Sequence, residues 1–504
     1  MTEALRFPWE ESERQREVAP SAFRPRRNRK TSSRSQASRK PRESKPRRRA
    51  AVSRSVRLAA PVKGSSGTAG HLTRVEATRD RTAGRVVNGP QRERHEPDYV
   101  LMATALALSA IGILMVYSSQ GTESALREGG TVFDAIAEQL MWGLLGGLVL
   151  LVVMRVDYRY WRSFSVLGIV VSLVLLVVVV GPSIPPLLKP LYVNGATRWL
   201  QIGGLPSFQP SEIAKLALVL FLAHFLATRG RKVGSFRSGM LPFLLIVGPM
   251  AGLIVVEPDL GTTGVVVLTG FAMFFAAGGS VLQILALLPI GLAGVAAVIM
   301  RKDYMQDRLE IWQNPLADPV HEGHQMFRSI NSLAFGGLTG NGLGQSHSGD
   351  GVTVPAAEND FIFSVIGQEF GYVGALLVIG LFLVLAWRGI RVAMDAPDTF
   401  GGLLALGITA WLTFQALINI GVVVSLIPMT GMPLPFLSKG GTSLVVVLAA
   451  VGMLLSISRE TVTQGRETET RGADAHEDPH RGRGHRRPHL PRPGRRVPAA
   501  EPPA

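Results

Sequence analysis

Between Tyr99 and Ile457 the chain is a succession of apolar stretches, most of them near the length that crosses a bilayer. A hydrocarbon layer roughly 30 Å thick takes about 20 apolar residues in a helix, and a backbone inside it must satisfy its own hydrogen bonds. Ten stretches can be read, at 99–118, 136–154, 163–181, 212–228, 240–256, 262–278, 281–300, 361–387, 402–424 and 442–457. The predicted fold is all-α and polytopic, with about ten transmembrane helices and a large extracellular loop between helices 7 and 8. An even number of crossings puts both ends of the chain on one side.

Composition enters here because it contradicts that picture unless charge is segregated. The 504 residues are 47% hydrophobic, yet the formal net charge is +16. Residues 1–97 hold about 25 Lys and Arg against about 10 acids, with runs such as Arg47-Arg48-Arg49 and little apolar material. They are expected to form a disordered basic cytoplasmic tail. Residues 459–504, rich in Arg, Pro, His and Gly, are expected to form a second one, leaving 98–458 as the membrane domain. The basic arm lacks aromatic interleaving and any zinc-finger or basic-zipper pattern, so no nucleic-acid partner is expected; an anionic membrane face is the competing one. No apolar signal-peptide region opens the chain. Cysteine is absent, which excludes disulfides, thiolate zinc sites and cysteine nucleophiles.

The connections orient the spans. Arg155, Arg159 and Arg162, then Arg229, Arg231, Lys232 and Arg237, then Arg388 and Arg391 fall on the same side as the basic tails. That side is read as cytoplasmic. Loops 182–211, 257–261, 301–360 and 425–441 then face outward, and most of the polar information of the membrane domain lies in them. Arg301, Lys302 and Arg308 break the charge rule. They are read as partners of Asp303, Asp307 and Glu310, or as cations for an anionic ligand.

Four outward clusters carry the chemistry. In the first, Asn194-Gly195-Ala196-Thr197-Arg198-Trp199 precedes Gln209-Pro210-Ser211-Glu212-Ile213-Ala214-Lys215. Pro210 and Glu212 suit the first turn of a helix, whereas Glu212 and Lys215 share a face and Arg198 is available to a phosphate. The second, Glu257-Pro258-Asp259-Leu260-Gly261-Thr262, puts two acids between very apolar spans, where function or a buried ion pair is expected. The third runs from Arg301 to Asp360 and contains the glycine-rich run Gly336–Gly344. It lacks the Lys-Ser/Thr of a phosphate loop and is read as flexible packing over a cavity. The fourth, Pro433-Leu434-Pro435-Phe436-Leu437-Ser438-Lys439-Gly440-Gly441-Thr442-Ser443, is read as a re-entrant or broken-helix segment with groups free to bind an anion. Asp360 closes the third cluster where polar loop gives way to apolar helix. An unpaired carboxylate there costs several kcal/mol, so it must be hydrated, paired or used.

Taken in order, the runs NGATRWLQIGG…QPSEIAKLAL, EPDLGT, GGLTGNGLGQS, NDFIFSVIGQEFGYVG and LPFLSKGGTS resemble the SEDS family (shape, elongation, division and sporulation), whose members include FtsW and RodA. The likeness covers roughly Tyr99 to Arg459, and the long basic extensions sit closer to the FtsW branch. It departs in the lead-in Val354-Pro355-Ala356-Ala357-Glu358-Asn359 and in Lys439, where Tyr is usual.

The resemblance implies a ten-helix membrane glycosyltransferase that polymerises lipid II into peptidoglycan strands at the outer face of the cytoplasmic membrane, releasing undecaprenyl diphosphate. It implies a class B penicillin-binding transpeptidase partner and, for a septal enzyme, other divisome proteins. The family's essential aspartate maps onto Asp360, the expected general base. Arg198, Lys215 and Lys439 are candidate phosphate partners, with Trp199, Ser438, Gly440 and Gly441 beside them and a divalent cation (Mg or Mn) as the candidate cofactor. Glu212, Glu257 and Asp259 either join the substrate site or hold those cations in place. The alternatives are an elongation-specific RodA-type polymerase and a lipid II flippase or transporter.

Overall fold

In the computed structural model each apolar stretch forms a helix. The structure describes residues 92–119, 132–181, 188–193, 196–204, 206–301, 303–315, 323–345, 354 and 357–462. Contacts divide the chain between Gly84 and Arg85, and every described residue belongs to the second unit. Of the tails expected at 1–97 and 459–504, residues 1–91 and 463–504 lie outside the described residues.

The helices are α1 (Tyr99–Ser119), α2 (Val132–Arg155), α3 (Tyr158–Val180), α4 (Pro210–Arg229), α5 (Leu241–Val256), α6 (Leu260–Ala276) and α7 (Val281–Ile299). Then come α8 (Asp303–Gln313), α9 (His324–Gly336), α10 (Ile362–Asp395), α11 (Thr399–Val423) and α12 (Gly441–Ser458). Among the described residues, nine helices are long and apolar enough to cross a membrane, α5 by counting the π-helical turn Phe236–Met240 that leads into it, and α6 is a shorter apolar helix of 17 residues. The ten coincide with the ten predicted stretches. Their starts are set by capping chemistry: Asp157, Asp259 and Asp398 each accept from an amide in the first turn of α3, α6 and α11. Pro210 occupies the first turn of α4, where its missing N–H costs nothing.

The bundle is apolar on its outer surface as well as in its interior. Large apolar residues such as Leu144, Leu148 and Val174 face outward, as a hydrocarbon environment allows. The interior is closed by Trp411, Tyr158, Phe243 and Phe274. α7 stands at the rim and buries none of its residues against the described chain.

Little sheet is present. Strands β1 (Arg92–Arg94) and β4 (Glu460–Val462) pair antiparallel, Arg94 opposite Glu460, which brings the two ends of the membrane domain together on one face. Ordered structure thus extends a few residues into both expected tails. On the opposite face β2 (Leu188–Val193) and β3 (Ala196–Ile202) form a hairpin, with Leu191 opposite Trp199. This hairpin and helices α8 and α9 fall within 182–211 and 301–360, which the sequence marks only as loops.

Two stretches of irregular backbone pack against the helices. The glycine-rich run is a correction to the sequence reading, because it is docked tightly on α10 rather than spanning a cavity. α10 breaks at Gly371, whose φ is +64°, and the freed main-chain groups pair with the run. Asn341 N donates to Gln368 O, Gly342 N to Glu369 O, Tyr372 N to Gly337 O and Val373 N to Leu338 O, at 3.0–3.2 Å. Glycine is required for the approach: a Cβ at Gly340 would lie 2.1 Å from the carbonyl oxygen of Glu369. The second stretch, 424–440, carries buried Met432, Leu434, Phe436, Leu437 and Ser438 outside any helix, with a single turn closed by Ser438 N donating to Leu434 O at 3.1 Å. Its backbone groups are met by side chains, as a dry interior demands. Gln415 Nε2 donates to Pro433 O at 2.9 Å, Asn419 Nδ2 to Met432 O at 2.7 Å, and Leu434 N to Ser438 Oγ at 2.8 Å.

Candidate functional site

The expected residues converge on the face that carries the β2–β3 hairpin. Arg198 leaves β3 and grips the turn between α5 and α6 through two carbonyls: Nε donates to Glu257 O at 3.0 Å, and Nη2 donates to Pro258 O. Its third nitrogen points elsewhere. A Cβ placed on Gly431 would lie 3.4 Å from Arg198 Nη1 and 3.6 Å from Asp360 Oδ2. The guanidinium and the carboxylate therefore face the same small space, with a side-chain-free residue (φ +70°) between them.

Asp360 is held from its main chain. Asn419 Nδ2, on α11, donates to Asp360 O at 2.8 Å, and Lys439 N donates to Glu358 O at 2.7 Å. Residues 358–360 are thus pinned to the 424–440 segment, and Asp360 is half-buried. Burial pushes its pKa up to about 6; Arg308 and Arg198 oppose that shift, and Asp259 and Glu358 add to it. A carboxyl titrating there is ionised at neutral pH yet basic enough to take a proton. Arg308, on α8, donates through Nη1 to Met429 O at 3.0 Å. An apolar cavity of about 210 Å³ lies beside it, lined by residues including Val295, Ile299, Leu309 and Met429.

The two acids of the second cluster part company. Asp259 caps α6, accepting from Thr262 N at 3.0 Å and Thr262 Oγ1 at 2.8 Å. Glu257 is 2% exposed, and among the described residues neither of its carboxyl oxygens has a hydrogen-bond partner. Burial pushes its pKa up to about 8, with Asp259 adding to the shift and Arg198 opposing it. Glu257 is therefore protonated at neutral pH, the cheaper form of a carboxyl without a partner.

Glu212 and Lys215 form a closed buried pair beneath the site. Lys215 Nζ lies 2.8 Å from Glu212 Oε1 and 2.7 Å from Gln415 Oε1, over the Trp411 ring. Ser443 Oγ donates to Glu212 Oε2 at 2.9 Å, and Trp411 Nε1 to Gln415 Oε1 at 2.8 Å. Of the two roles open to Lys215 in the sequence, this geometry displays the cation held by Glu212. Gln415 then passes the support upward to Pro433. Trp199 is half-buried in β3, Ser438 closes the turn at Leu434, and Lys439 and Gly440 are half-buried just before α12. The space over Gly441 is filled by the Trp142 indole, 2.3 Å from where a Cβ would stand. Asn194 and Gly195 lie outside the described residues.

Asn419, Gln415 and Gly431 are site residues that nothing in the sequence flagged. Arg308 had one signal, its violation of the charge rule. Asn419 and Gln415 are single amides on an otherwise apolar helix. Among the described residues no three His, Asp or Glu side chains gather at metal-ligating spacing.

Comparison with known proteins agrees with this architecture. The model of the cell cycle protein family FtsW/RodA/SpoVE matches residues 98–463. Stage V sporulation protein E of Bacillus subtilis is 40% identical over 367 residues, covering 73% of this chain and 98% of that protein. The probable peptidoglycan glycosyltransferase FtsW of Trichlorobacter lovleyi is 37% identical over 364 residues, covering 72% and 93%. Among solved structures, a chain from work on polymerization and crosslinking by a peptidoglycan synthase complex aligns with TM-score 0.57 and 27% identity, over 72% of this chain and 98% of that one. The rod shape determining protein RodA of Thermus thermophilus aligns with TM-score 0.51 and 26% identity, over 72% and 97%.

Proposed function

This chain belongs to the FtsW/RodA/SpoVE family of cell cycle proteins, and on that premise we propose that it is a peptidoglycan glycosyltransferase that polymerises lipid II. The observation that carries the reading is Asp360, a carboxyl titrating near 6 that faces Arg198 across Gly431. In the reaction the acceptor hydroxyl oxygen attacks the anomeric carbon of the donor. The bond from that carbon to the diphosphate oxygen breaks, and the hydroxyl proton passes to Asp360. Negative charge grows on the departing undecaprenyl diphosphate, and Arg198 and Arg308 are the cations on either side of Asp360 able to meet it. Lys439 adds a third on the segment pinned to Glu358. Glu257, protonated, keeps its charge away from that region, and Asp259 holds the turn that Arg198 grips.

A divalent cation (Mg or Mn) is the proposed cofactor, and metal titration of lipid II polymerisation tests it. The Asp360 face is the outer face of the cytoplasmic membrane in this proposal, because the basic connections and the paired ends of the domain lie opposite. A class B penicillin-binding transpeptidase is the proposed partner, supported by the likeness to a peptidoglycan synthase complex. Septal synthesis with other divisome proteins is the proposed setting, supported by the FtsW relatives.

Purified Asp360→Asn with its transpeptidase is expected to lose glycan synthesis by at least about 100-fold while folding and complex formation persist. Radiolabelled lipid II polymerisation in detergent, with moenomycin silencing contaminating classical glycosyltransferases, measures it. Near-normal glycan strands from the variant reject the assignment. A wild-type chain that translocates lipid II and polymerises none is a flippase instead.

A further inference from the structure

Glu369 is a buried carboxylate that the reaction above does not use. It is 1% exposed, and its neighbours come from two other parts of the chain. Ser118 Oγ, at the end of α1, donates to Oε1 and Oε2, each at 2.7 Å. Gly344 N, at the end of the glycine-rich run, donates to Ser118 Oγ at 2.9 Å and to Glu369 Oε1 at 3.2 Å. Burying a carboxylate for one hydroxyl and one amide is an expensive way to fill space, and an apolar residue would fill it more cheaply.

The helix break explains what such a group can do. Because α10 is interrupted at Gly371, residues 362–370 are a short separate segment whose direction is not set by the long helix behind it. Asp360 sits two residues before this segment, and Glu369 sits near its far end, about 12 Å away along the axis. Asn419 fixes the near end through Asp360 O. The far end is fixed by the docked glycine-rich backbone and by Glu369, the one side chain of the segment that ties both α1 and the run to it through hydrogen bonds among the described residues. A Cβ on Gly371 would meet Gly340 N and Leu338 O at 2.5 Å, so the run is seated directly against the hinge.

We propose that Glu369 is a positioning residue for Asp360: its contacts with Ser118 and Gly344 latch the 362–370 segment and set where Asp360 is presented. The assignment rests on the reading of Asp360 as the base, and its consequence is that α1 and the glycine-rich run tune the site without touching substrate. Opening the latch lets the segment tilt about Gly371 and moves Asp360 relative to Arg198. The groups that face Asp360 are Arg308 from α8, Arg198 from β3, Asp259 from the turn before α6 and Glu358 from its own run. Tilting changes its burial and its distance from all four.

The test uses the full chain with Glu369→Ala, Glu369→Gln and Ser118→Ala, and two readouts. The first is lipid II polymerisation, resolved into kcat and KM. The second is independent of turnover: the pH dependence of carbodiimide labelling at Asp360, followed by mass spectrometry. Glu369→Ala is expected to lower kcat about 10- to 100-fold with KM within about twofold, since misplacement by about 1 Å has that cost. Its labelling midpoint is expected to fall from about 6 toward the ordinary 3.8 as Asp360 becomes hydrated. Glu369→Gln keeps an acceptor for Ser118 and Gly344 and is expected to restore kcat to within about threefold. Ser118→Ala is expected to show the Glu369→Ala pattern in weaker form, and it decides the matter if Glu369→Ala does not fold. An unmoved midpoint with unchanged kcat, or a change in KM alone, overturns the proposal, whatever happens to the unfolding temperature. If the wild-type chain polymerises nothing, the proposed function falls, and the labelling midpoints still decide the latch.

Discussion

The two ends of the bundle treat carboxylates in opposite ways. On the face where β1 and β4 pair, acids are saturated with partners. Asp98 takes Arg388 through Nη2 at 2.6 Å and Nε at 2.7 Å, and also accepts from Leu101 N. Arg159 reaches Asp398, Asp157 and Glu460 at 3.1, 3.3 and 2.7 Å. Burial alone would raise Asp398, but the Gly401 amide, the Tyr158 hydroxyl and Arg159 outweigh it and hold the carboxyl below the usual range. On the Asp360 face burial wins, and both Asp360 and Glu257 titrate above their ordinary values. Acids that build structure are held charged. Those left for chemistry are held near neutrality, where a proton can move.

Breaking each face should therefore fail differently. Arg198→Ala is expected to cut lipid II polymerisation by about 100-fold, the usual loss on removing a group that meets developing negative charge. It should also lower the unfolding temperature, because the carbonyls of Glu257 and Pro258 lose their donor. Arg388→Ala is expected to cost about 1–3 kcal/mol of stability because Asp98 loses its partner, with polymerisation within about twofold. Paired polymerisation and thermal-unfolding measurements check both. Equal activity losses in the two variants would erase the distinction between the faces. A smaller effect follows from Asp398. Its folded pKa is depressed, so its stabilisation is present above the unfolded value of about 3.8 and is lost as pH falls through the folded one. Unfolding temperatures of wild type and Asp398→Asn should differ at pH 7 and converge toward pH 3.

The same contrast explains what could be read without the structure. The ten crossings were legible because hydrocarbon thickness imposes a length on apolar sequence, and Pro210 and Glu212 marked a helix start by short-range rules. Asp259, read as functional or ion-paired, proves to be a helix cap. Asp360, Arg198 and Glu257 drew notice for being polar where the surroundings are not. The β2–β3 hairpin, α8 and α9 were not legible, since short elements in a long connection carry weak periodicity. Nor was the true state of the glycine-rich run, because Gly340 needs its small side only against a carbonyl 29 residues on, at Glu369. Gln415 and Asn419 share a helix face four residues apart, but the carbonyls they hold, at Pro433, Met432 and Asp360, are met only after folding.

Glu257→Gln is the mildest change and the sharpest probe of the Asp360 face. Gln matches the protonated carboxyl in shape, so at neutral pH the variant should fold and polymerise nearly as wild type does. The difference should open with pH. Because the folded pKa of Glu257 is raised, its native state keeps a proton that the unfolded chain releases; stability present below the ordinary value of 4.5 is lost progressively as pH rises through about 8. Gln cannot lose that proton, and its unfolding temperature should stay flat across the same window. Activity should follow the same groups. Wild-type polymerisation is expected to rise through about pH 6 as Asp360 ionises and to decline above about 8 as Glu257 becomes a second anion beside Arg198. The variant should keep the acid limb and lose the alkaline one, an effect below about tenfold at pH 9. An alkaline limb unchanged in Glu257→Gln would mean that the unpartnered carboxyl is a packing feature, and that Asp360 alone distinguishes the two faces.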